Sequence, residues 1–233
     1  MEKPNILVII PARKGSKGIK SKNKKILSGK PLVSYSLETA KALPENYHSY
    51  ISTDDSEIID IANRLNIKNN GLRPKELSID SALTLDVLHH ELKVTEKKLS
   101  IEFDGVLLLQ PTCPIRNLDD IMDIEKIFIE KDMSCSVVSV KKIESEHPFR
   151  MKRLVGDNRL INFIDQGFED MRPRQSLPSV YIRNGSIYLT PSEEIRNKRT
   201  LVTDDTFGFV MESKYSVNID NIEDFLIAEY FIK

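Results

Sequence analysis

The chain's first apolar segment, Ile6-Leu7-Val8-Ile9-Ile10, has no polar residue at alternate positions. A short continuous run of this kind is the pattern of a strand covered on both faces, as in a parallel sheet. Tyr50 to Ser52, Val106 to Leu109 and Val137 to Val140 have the same character. Between these runs the period becomes helical. Ile58, Ile61, Ala62 and Leu65 recur at i, i+3, i+4 and i+7, with Asp54 or Asp55 placed to cap the start. Further helices are predicted from Leu32 to Ala42, from Leu83 to Lys93, and from Leu118 to Ile129 with Leu118, Ile121, Ile124, Ile127 and Phe128 facing inward. Strands alternating with helices imply βαβ units, so the predicted class is α/β with a mostly parallel sheet flanked by helices. After Lys141 the pattern changes. Residues from about 142 to 178 are polar, interrupted by Pro148, Pro173 and Pro178, and carry only short apolar pieces such as Leu160 to Ile164. This segment reads as an excursion from the sheet. Sheet-like sequence returns at Ser186 to Leu189, and a helix from about Ile222 to Phe231 closes the chain. At 233 residues with no low-complexity linker, 1–233 is predicted to be a single domain with the excursion inserted in it.

Charge sharpens this picture. Lysine and arginine total 34 against 35 acidic side chains, yet Arg13, Lys14, Lys17, Lys20, Lys22, Lys24, Lys25 and Lys30 fall together with no acid among them. They follow directly on the first predicted strand, at the carboxyl end where open α/β sheets bind ligands. Gly15 and Gly18 lie within the run, so backbone N–H groups can approach an anion while the cations neutralise it. The segment reads as a cradle for a polyphosphate. A nucleic-acid binder would carry a broader basic face with interleaved aromatics, and this cluster has none, so no nucleic-acid partner is predicted. No apolar stretch is long enough to span a bilayer and no signal-peptide core follows Met1, so the expected location is cytoplasmic, away from any membrane. Cys113 and Cys135 lack metal-type spacing and are expected to be reduced thiols; the four histidines suggest no site.

The loop contains neither G-x-x-x-x-G-K-[ST] nor G-x-G-x-x-G. PARKGSKGI followed by Lys22-Asn23 instead resembles the acylneuraminate cytidylyltransferases, or CMP-sialic acid synthetases. Further matching blocks follow in order: STDD at Ser52 to Asp55, RPKELSIDSALT at Arg73 to Thr84, LLLQPTCPIR at Leu107 to Arg116, RPRQSLPSVYIRNGSIYL at Arg172 to Leu189 and NIDNIEDF at Asn218 to Phe225. Together they span nearly the whole chain. The resemblance implies a Rossmann-like nucleotidyltransferase fold with a small dimerisation lobe at about 142–178 that reaches the partner's active site. It also implies a homodimer that uses CTP, an acidic sugar and Mg²⁺.

By the same resemblance, the nucleotide-binding set is Ala12, Arg13, Gly15, Ser16, Lys17, Lys22, Asn23, Arg73, Asp80 and Thr84. Arg13 is the first choice for a triphosphate contact, because its guanidinium is a planar fork of donors; Lys20, Lys24, Lys25 and Lys30 are expected to be solvated. The alternative for Arg73 is a surface ion pair with Glu76. Gln110 ends a strand and faces the crevice, and the family match gives it to the sugar together with Arg172, Arg174 and Tyr188, with Lys142 as a contribution from the partner subunit. Arg13, Lys22 and Asp220 are the implied catalytic residues. The family usually has D-x-D near the carboxyl terminus as a metal site, where this chain has Asn218-Ile219-Asp220. Asp220 and Asn218 are thus the metal candidates, with a helix N-cap as the alternative for Asp220. The expected reaction joins CMP from CTP to the anomeric hydroxyl of a nine-carbon acidic sugar: N-acetylneuraminate, legionaminate or pseudaminate. An eight-carbon acid such as Kdo is the alternative substrate, and a nucleotide-binding regulatory protein without transferase activity is the alternative class.

Overall fold

The structure is a computed structural model that describes residues 3–15, 18–198 and 200–233, the Lys198 side chain apart. In chain order its elements are β1 (Ile6–Pro11), β2 (Ile26–Leu27), β3 (Lys30–Pro31), α1 (Leu32–Lys41), β4 (Tyr47–Ser52), α2 (Ser56–Arg64), β5 (Lys68–Asn69), α3 (Thr84–Leu99), β6 (Gly105–Leu109), α4 (Leu118–Glu130), β7 (Val137–Lys142), β8 (Lys152–Val155), β9 (Arg159–Asn162), β10 (Tyr181–Pro191), β11 (Phe207–Val210) and α5 (Ile222–Ile232). Seven strands form one sheet in the order β11-β7-β10-β6-β1-β4-β5. Strand β10 runs antiparallel to β6 and β7, and the other pairings are parallel. The mostly parallel sheet is therefore as the apolar runs predict.

All five residues from Ile6 to Ile10 are fully buried, because helices cover both faces of β1. Ile6, Val8 and Ile10 pack with Val33 and Leu37 of α1, Ile58 and Ala62 of α2, and Ile121, Ile124 and Phe128 of α4. Leu7 and Ile9 point the other way, onto Leu88 and Leu92 of α3. Burying each such side chain is worth about 1.5–3 kcal/mol, which fixes the register Ile9 beside Tyr50 and Leu108. The carboxyl ends of β1 and β6 thereby become a rigid platform.

A third cluster places the end of the chain against its beginning. Ile19 and Leu27 from the basic segment, Leu32, and Ile219, Phe225 and Ala228 from the last segment pack together. Residues from about 142 to 178 leave the main sheet and form the β8–β9 hairpin, a two-stranded sheet of its own.

Several boundaries differ from the sequence reading. Helix α3 runs on to Leu99, since Leu99 and Ile101 pack against the cluster around Leu92. Leu118 is exposed at the first turn of α4, outside the packed part of that helix. Asp55, rather than Asp54, caps α2 by accepting from the Glu57 N–H. The N-cap of α5 is Asn221, whose side chain accepts from the Asp224 N–H while the Asp224 carboxylate accepts from Asn221 N–H. This capping box excludes Asp220 as the cap and leaves its carboxylate for other work.

Candidate active site

A cleft of about 410 Å³ opens at the carboxyl ends of β1 and β6, and its lining includes Arg13, Lys22, Asn23, Arg73, Thr84, Gln110 and Asp220. These come from four separate sequence blocks. On one side, β1 delivers the loop carrying Arg13, whose guanidinium pairs with Asp80; Asn23 is buried below and donates to the Arg13 carbonyl at 2.9 Å. Lys22 Nζ donates to the Ile219 carbonyl at 2.6 Å and lies 3.3 Å from Asp220 Oδ1. Lys22 thus ties the basic loop to the carboxyl-terminal segment. The remaining cations are mostly engaged elsewhere: Lys24 pairs with Asp55 at 2.9 Å and Glu57 at 3.0 Å, Lys30 pairs with Glu38, and Lys25 lies over the Phe225 ring. Ser16 and Lys17 lie outside the described residues.

The two glycines of the loop differ. A Cβ on Gly15 would have room, with Arg13 Nη1 the nearest atom at 3.9 Å. A Cβ on Gly18 would lie 2.2 Å from the Asp220 carbonyl oxygen, so Gly18 is required by the approach of two backbones within the chain. Gly18→Ala is expected to lose about 1–3 kcal/mol of stability by overpacking. Urea unfolding measures this, and an unchanged midpoint would mean that the loop does not press on Asp220.

Arg73 is only 6% exposed, and among the described residues its side chain bonds Ser52 and Leu77 rather than Glu76. Its Nε donates to Ser52 Oγ at 3.0 Å, Nη2 donates to the Ser52 carbonyl and Nη1 to the Leu77 carbonyl at 3.3 Å. Burial lowers its pKa, opposed by Asp54 and Glu91. Arg73 is therefore an oriented cation in the cleft wall. The STDD block is its support, because Thr53 accepts the Arg73 N–H and its hydroxyl donates to the Ala12 carbonyl. Ala12 itself is fully buried, with N–H and carbonyl both bonded to this block, and it does not reach the cleft.

Across the cleft, Asn218 and Asp220 flank the buried Ile219 and are both exposed, as i, i+2 positions on an extended segment should be. Asn218 turns its amide nitrogen to Asp220 Oδ2 at 2.9 Å, and its amide oxygen faces the Cys113 thiol at 3.5 Å. Asn218 thus props Asp220 through its amide nitrogen. Among the described residues no group of three or more His, Cys, Asp or Glu side chains is arranged to hold a metal. A single carboxylate with substrate oxygens completing the shell does suit Mg²⁺, and Asp220 fits that donor set.

Four sugar-side candidates do not line this cleft. Tyr188 is packed with Leu7, Ile9 and Leu88, and burial raises its pKa. Arg172 pairs with Asp170 at 2.6 Å, holding that carboxyl down to about 2, and Arg174 pairs with Glu144. Lys142 is exposed at the end of β7, opposite Tyr181. The structure adds residues that sequence reasoning missed. Buried Asn184 accepts from Ser139 Oγ at 2.6 Å and donates to Ser216 Oγ at 2.9 Å, joining β7, β10 and the segment before Asn218. Thr112 accepts the Ile219 N–H at 2.8 Å. Both lie within matching blocks, but an isolated polar residue carries no signal of where its partners stand.

Residues 7–105, which hold the basic loop and the Arg73 block, match the model of a family described as cytidylyltransferase. The CMP-N,N'-diacetyllegionaminic acid synthase of Legionella pneumophila is 31% identical over 227 residues, covering 96% of this chain and 94% of that protein. The N-acylneuraminate cytidylyltransferase of Escherichia coli is 30% identical over 96% of this chain, which spans about half (51%) of that relative's length. A solved structure of CMP:2-keto-3-deoxy-manno-octonic acid synthetase complexed with CTP superposes with a TM-score of 0.69 at 15% identity, covering 97% of this chain and 98% of that one. The last likeness speaks for the fold alone. With 31% identity carried through nearly the whole of both chains, from the loop of Arg13 to the segment of Asp220, this chain belongs to the cytidylyltransferase family.

Proposed function

We propose that the cleft binds CTP and transfers its CMP to the anomeric hydroxyl of a nine-carbon acidic sugar, releasing pyrophosphate. The observation that carries this reading is the convergence of Arg13, Lys22 and Arg73 on one cleft that has Gln110 and Asp220 in its lining. Relatives named for legionaminic acid and N-acylneuraminate support the nine-carbon class. In the proposed step the sugar oxygen forms a bond to the α-phosphorus as the bond to pyrophosphate breaks and the hydroxyl proton is released. No covalent enzyme intermediate is required. Arg13 and Lys22 hold the triphosphate and oppose the charge that grows on the leaving group. Arg73 faces the nucleoside, with Thr84 beside it, and the Gln110 amide receives the sugar. Mg²⁺ held by Asp220 and the phosphates would supply further charge neutralisation. Pyrophosphate release on mixing the protein with CTP, Mg²⁺ and a panel of N-acetylneuraminate, legionaminate, pseudaminate and Kdo tests the reading. CTP binding without release for any nine-carbon acid would overturn it.

The same reading includes a homodimer in which the excursion of one protomer completes the partner's cleft, bringing Lys142, Arg172 and Arg174 to the sugar. Its support is physical. Leu154, Leu160, Phe163, Phe168 and Met171 are each more than half exposed on and around a two-stranded hairpin, a unit that is marginal in water without a covering surface. Sedimentation is expected to give twice the chain mass at concentrations where the enzyme is fully active, and a fully active monomer would rule the dimer out.

A further inference from the structure

The backbone carbonyl of Gln110, just beyond β6, accepts from three donors: Arg116 Nη2, the Cys113 N–H at 3.1 Å and Ser36 Oγ at 3.4 Å. The same guanidinium reaches two further elements. Its Nε donates to the Ser186 carbonyl in β10 at 3.1 Å, and Nη1 donates to Ser36 Oγ in α1 at 2.8 Å. All of these acceptors are carbonyl or hydroxyl oxygens, and none is a carboxylate. Desolvation lowers the Arg116 pKa to about 10. A cation in such a place is costly unless its hydrogen bonds compensate, so its value is geometric rather than that of an ion pair.

The geometry bears on the cleft. Ser186 follows Gly185, which has φ +79° and lies within the register shift of β10 between Arg183 and Tyr188. A Cβ on Gly185 would stand 3.8 Å from Gln110 Nε2 and 3.9 Å from Asn218 Oδ1. By gripping the Ser186 carbonyl, Arg116 therefore sets the floor under the Gln110 amide, and by gripping the Gln110 carbonyl it sets the origin of that side chain. We propose that Arg116 is a positioning residue for Gln110, and through it a determinant of acidic-sugar recognition. The sugar-recognition part rests on the assignment of Gln110 to the sugar made above. Lysine cannot substitute, because one ammonium does not span three acceptors held in the plane of a guanidinium fork.

The test uses the full chain and the variants Arg116→Lys, Gln110→Ala and their combination, with pyrophosphate release measured while sugar and CTP are varied separately. Arg116→Lys is expected to lower kcat/KM for the sugar about 10- to 100-fold, as a misplaced contact does, with KM for CTP unchanged within about twofold. On the Gln110→Ala background the same change is expected to add almost nothing, because a contact already lost cannot be misplaced. Additive losses, or an equal rise in KM for CTP, would overturn the proposal. A second readout needs no substrate. The Gln110 side-chain amide resonance, identified by its absence in Gln110→Ala, is expected to shift or broaden in Arg116→Lys, and an unmoved signal would also overturn it. Ser36→Ala, which removes one acceptor and keeps the arginine, is expected to give a smaller change of the same kind, and serves if Arg116→Lys fails to fold. Should the wild-type protein turn over none of the sugars, the function proposed above falls, while the amide signal still decides whether Arg116 positions Gln110.

Discussion

Arg13→Ala is expected to lower kcat for pyrophosphate release by about 10²–10³-fold, the usual loss when a preorganised charge-stabilising donor is removed. The structure explains why the loss should be kinetic. Arg13 and its partner Asp80 are 31% and 51% exposed in their side chains, and an ion pair of that kind contributes little to stability. The support of the loop comes from bonds to its backbone that the substitution keeps: the Asn23 amide donates to the Arg13 carbonyl, the Thr53 hydroxyl donates to the Ala12 carbonyl, and the Ala12 N–H donates to the Ser52 carbonyl. Thermal unfolding of the variant should therefore match the wild type. Arg13→Lys retains the charge but loses the fork of donors, so it should recover part of the rate and leave a raised KM for CTP. Steady-state kinetics with CTP varied at saturating sugar checks both. Wild-type kinetics in a folded Arg13→Ala protein would remove Arg13 from the triphosphate.

The parts of this fold that could be read in advance are those in which one local pattern has one physical meaning. An apolar run such as Ile6 to Ile10 has few places to go except between two helical layers, and an acid just before an amphipathic helix marks an N-cap, though only the structure picks Asp55 over Asp54. Other residues had two readings that only tertiary partners separate. Asp220 and Asn221 are adjacent, and the Asp224 carboxylate accepts from the N–H of both; the cap is Asn221 because its side chain accepts the Asp224 N–H. Tyr188 lies on a strand covered on both faces, so alternation cannot say whether it faces α3 or the crevice; it faces the Leu88 cluster. Gly18 looked like a phosphate-binding glycine because such loops use glycine for close approach, and close approach is what it provides, but to the backbone of Asp220. Arg116 ends the LLLQPTCPIR block, but nothing in that block gives it a role. Its partners Ser36 and Ser186 come from elements far apart in the chain.

Asp220→Ala is expected to abolish nearly all activity at ordinary Mg²⁺, whereas Asn218→Asp is expected to lower the Mg²⁺ concentration needed for half-maximal rate. The two follow from one arrangement. Among the described residues Asp220 has two side-chain anchors: Lys22 at 3.3 Å from Oδ1 and the Asn218 amide nitrogen at 2.9 Å from Oδ2. Its removal takes away the carboxylate at the cleft mouth but leaves the Asn221–Asp224 capping box, so α5 and the overall stability should survive. Replacing Asn218 by Asp exchanges a donor for a second carboxylate. Two carboxylates attract a hard cation more strongly than a carboxylate and an amide do, because the neutral oxygen offers only a dipole. Without metal the same two carboxylates repel, and one of them is forced toward its protonated form. Asn218→Asp should therefore unfold at a lower temperature than wild type in chelator and gain more from added Mg²⁺, since a ligand bound only to the folded state stabilises it in proportion to RT ln(1 + [L]/Kd). Differential scanning fluorimetry across a Mg²⁺ titration reads this without turnover. An identical Mg²⁺ response in wild type and Asn218→Asp would mean that position 218 does not reach the ion in either form, and retention of turnover in Asp220→Ala would move the metal to the phosphates alone.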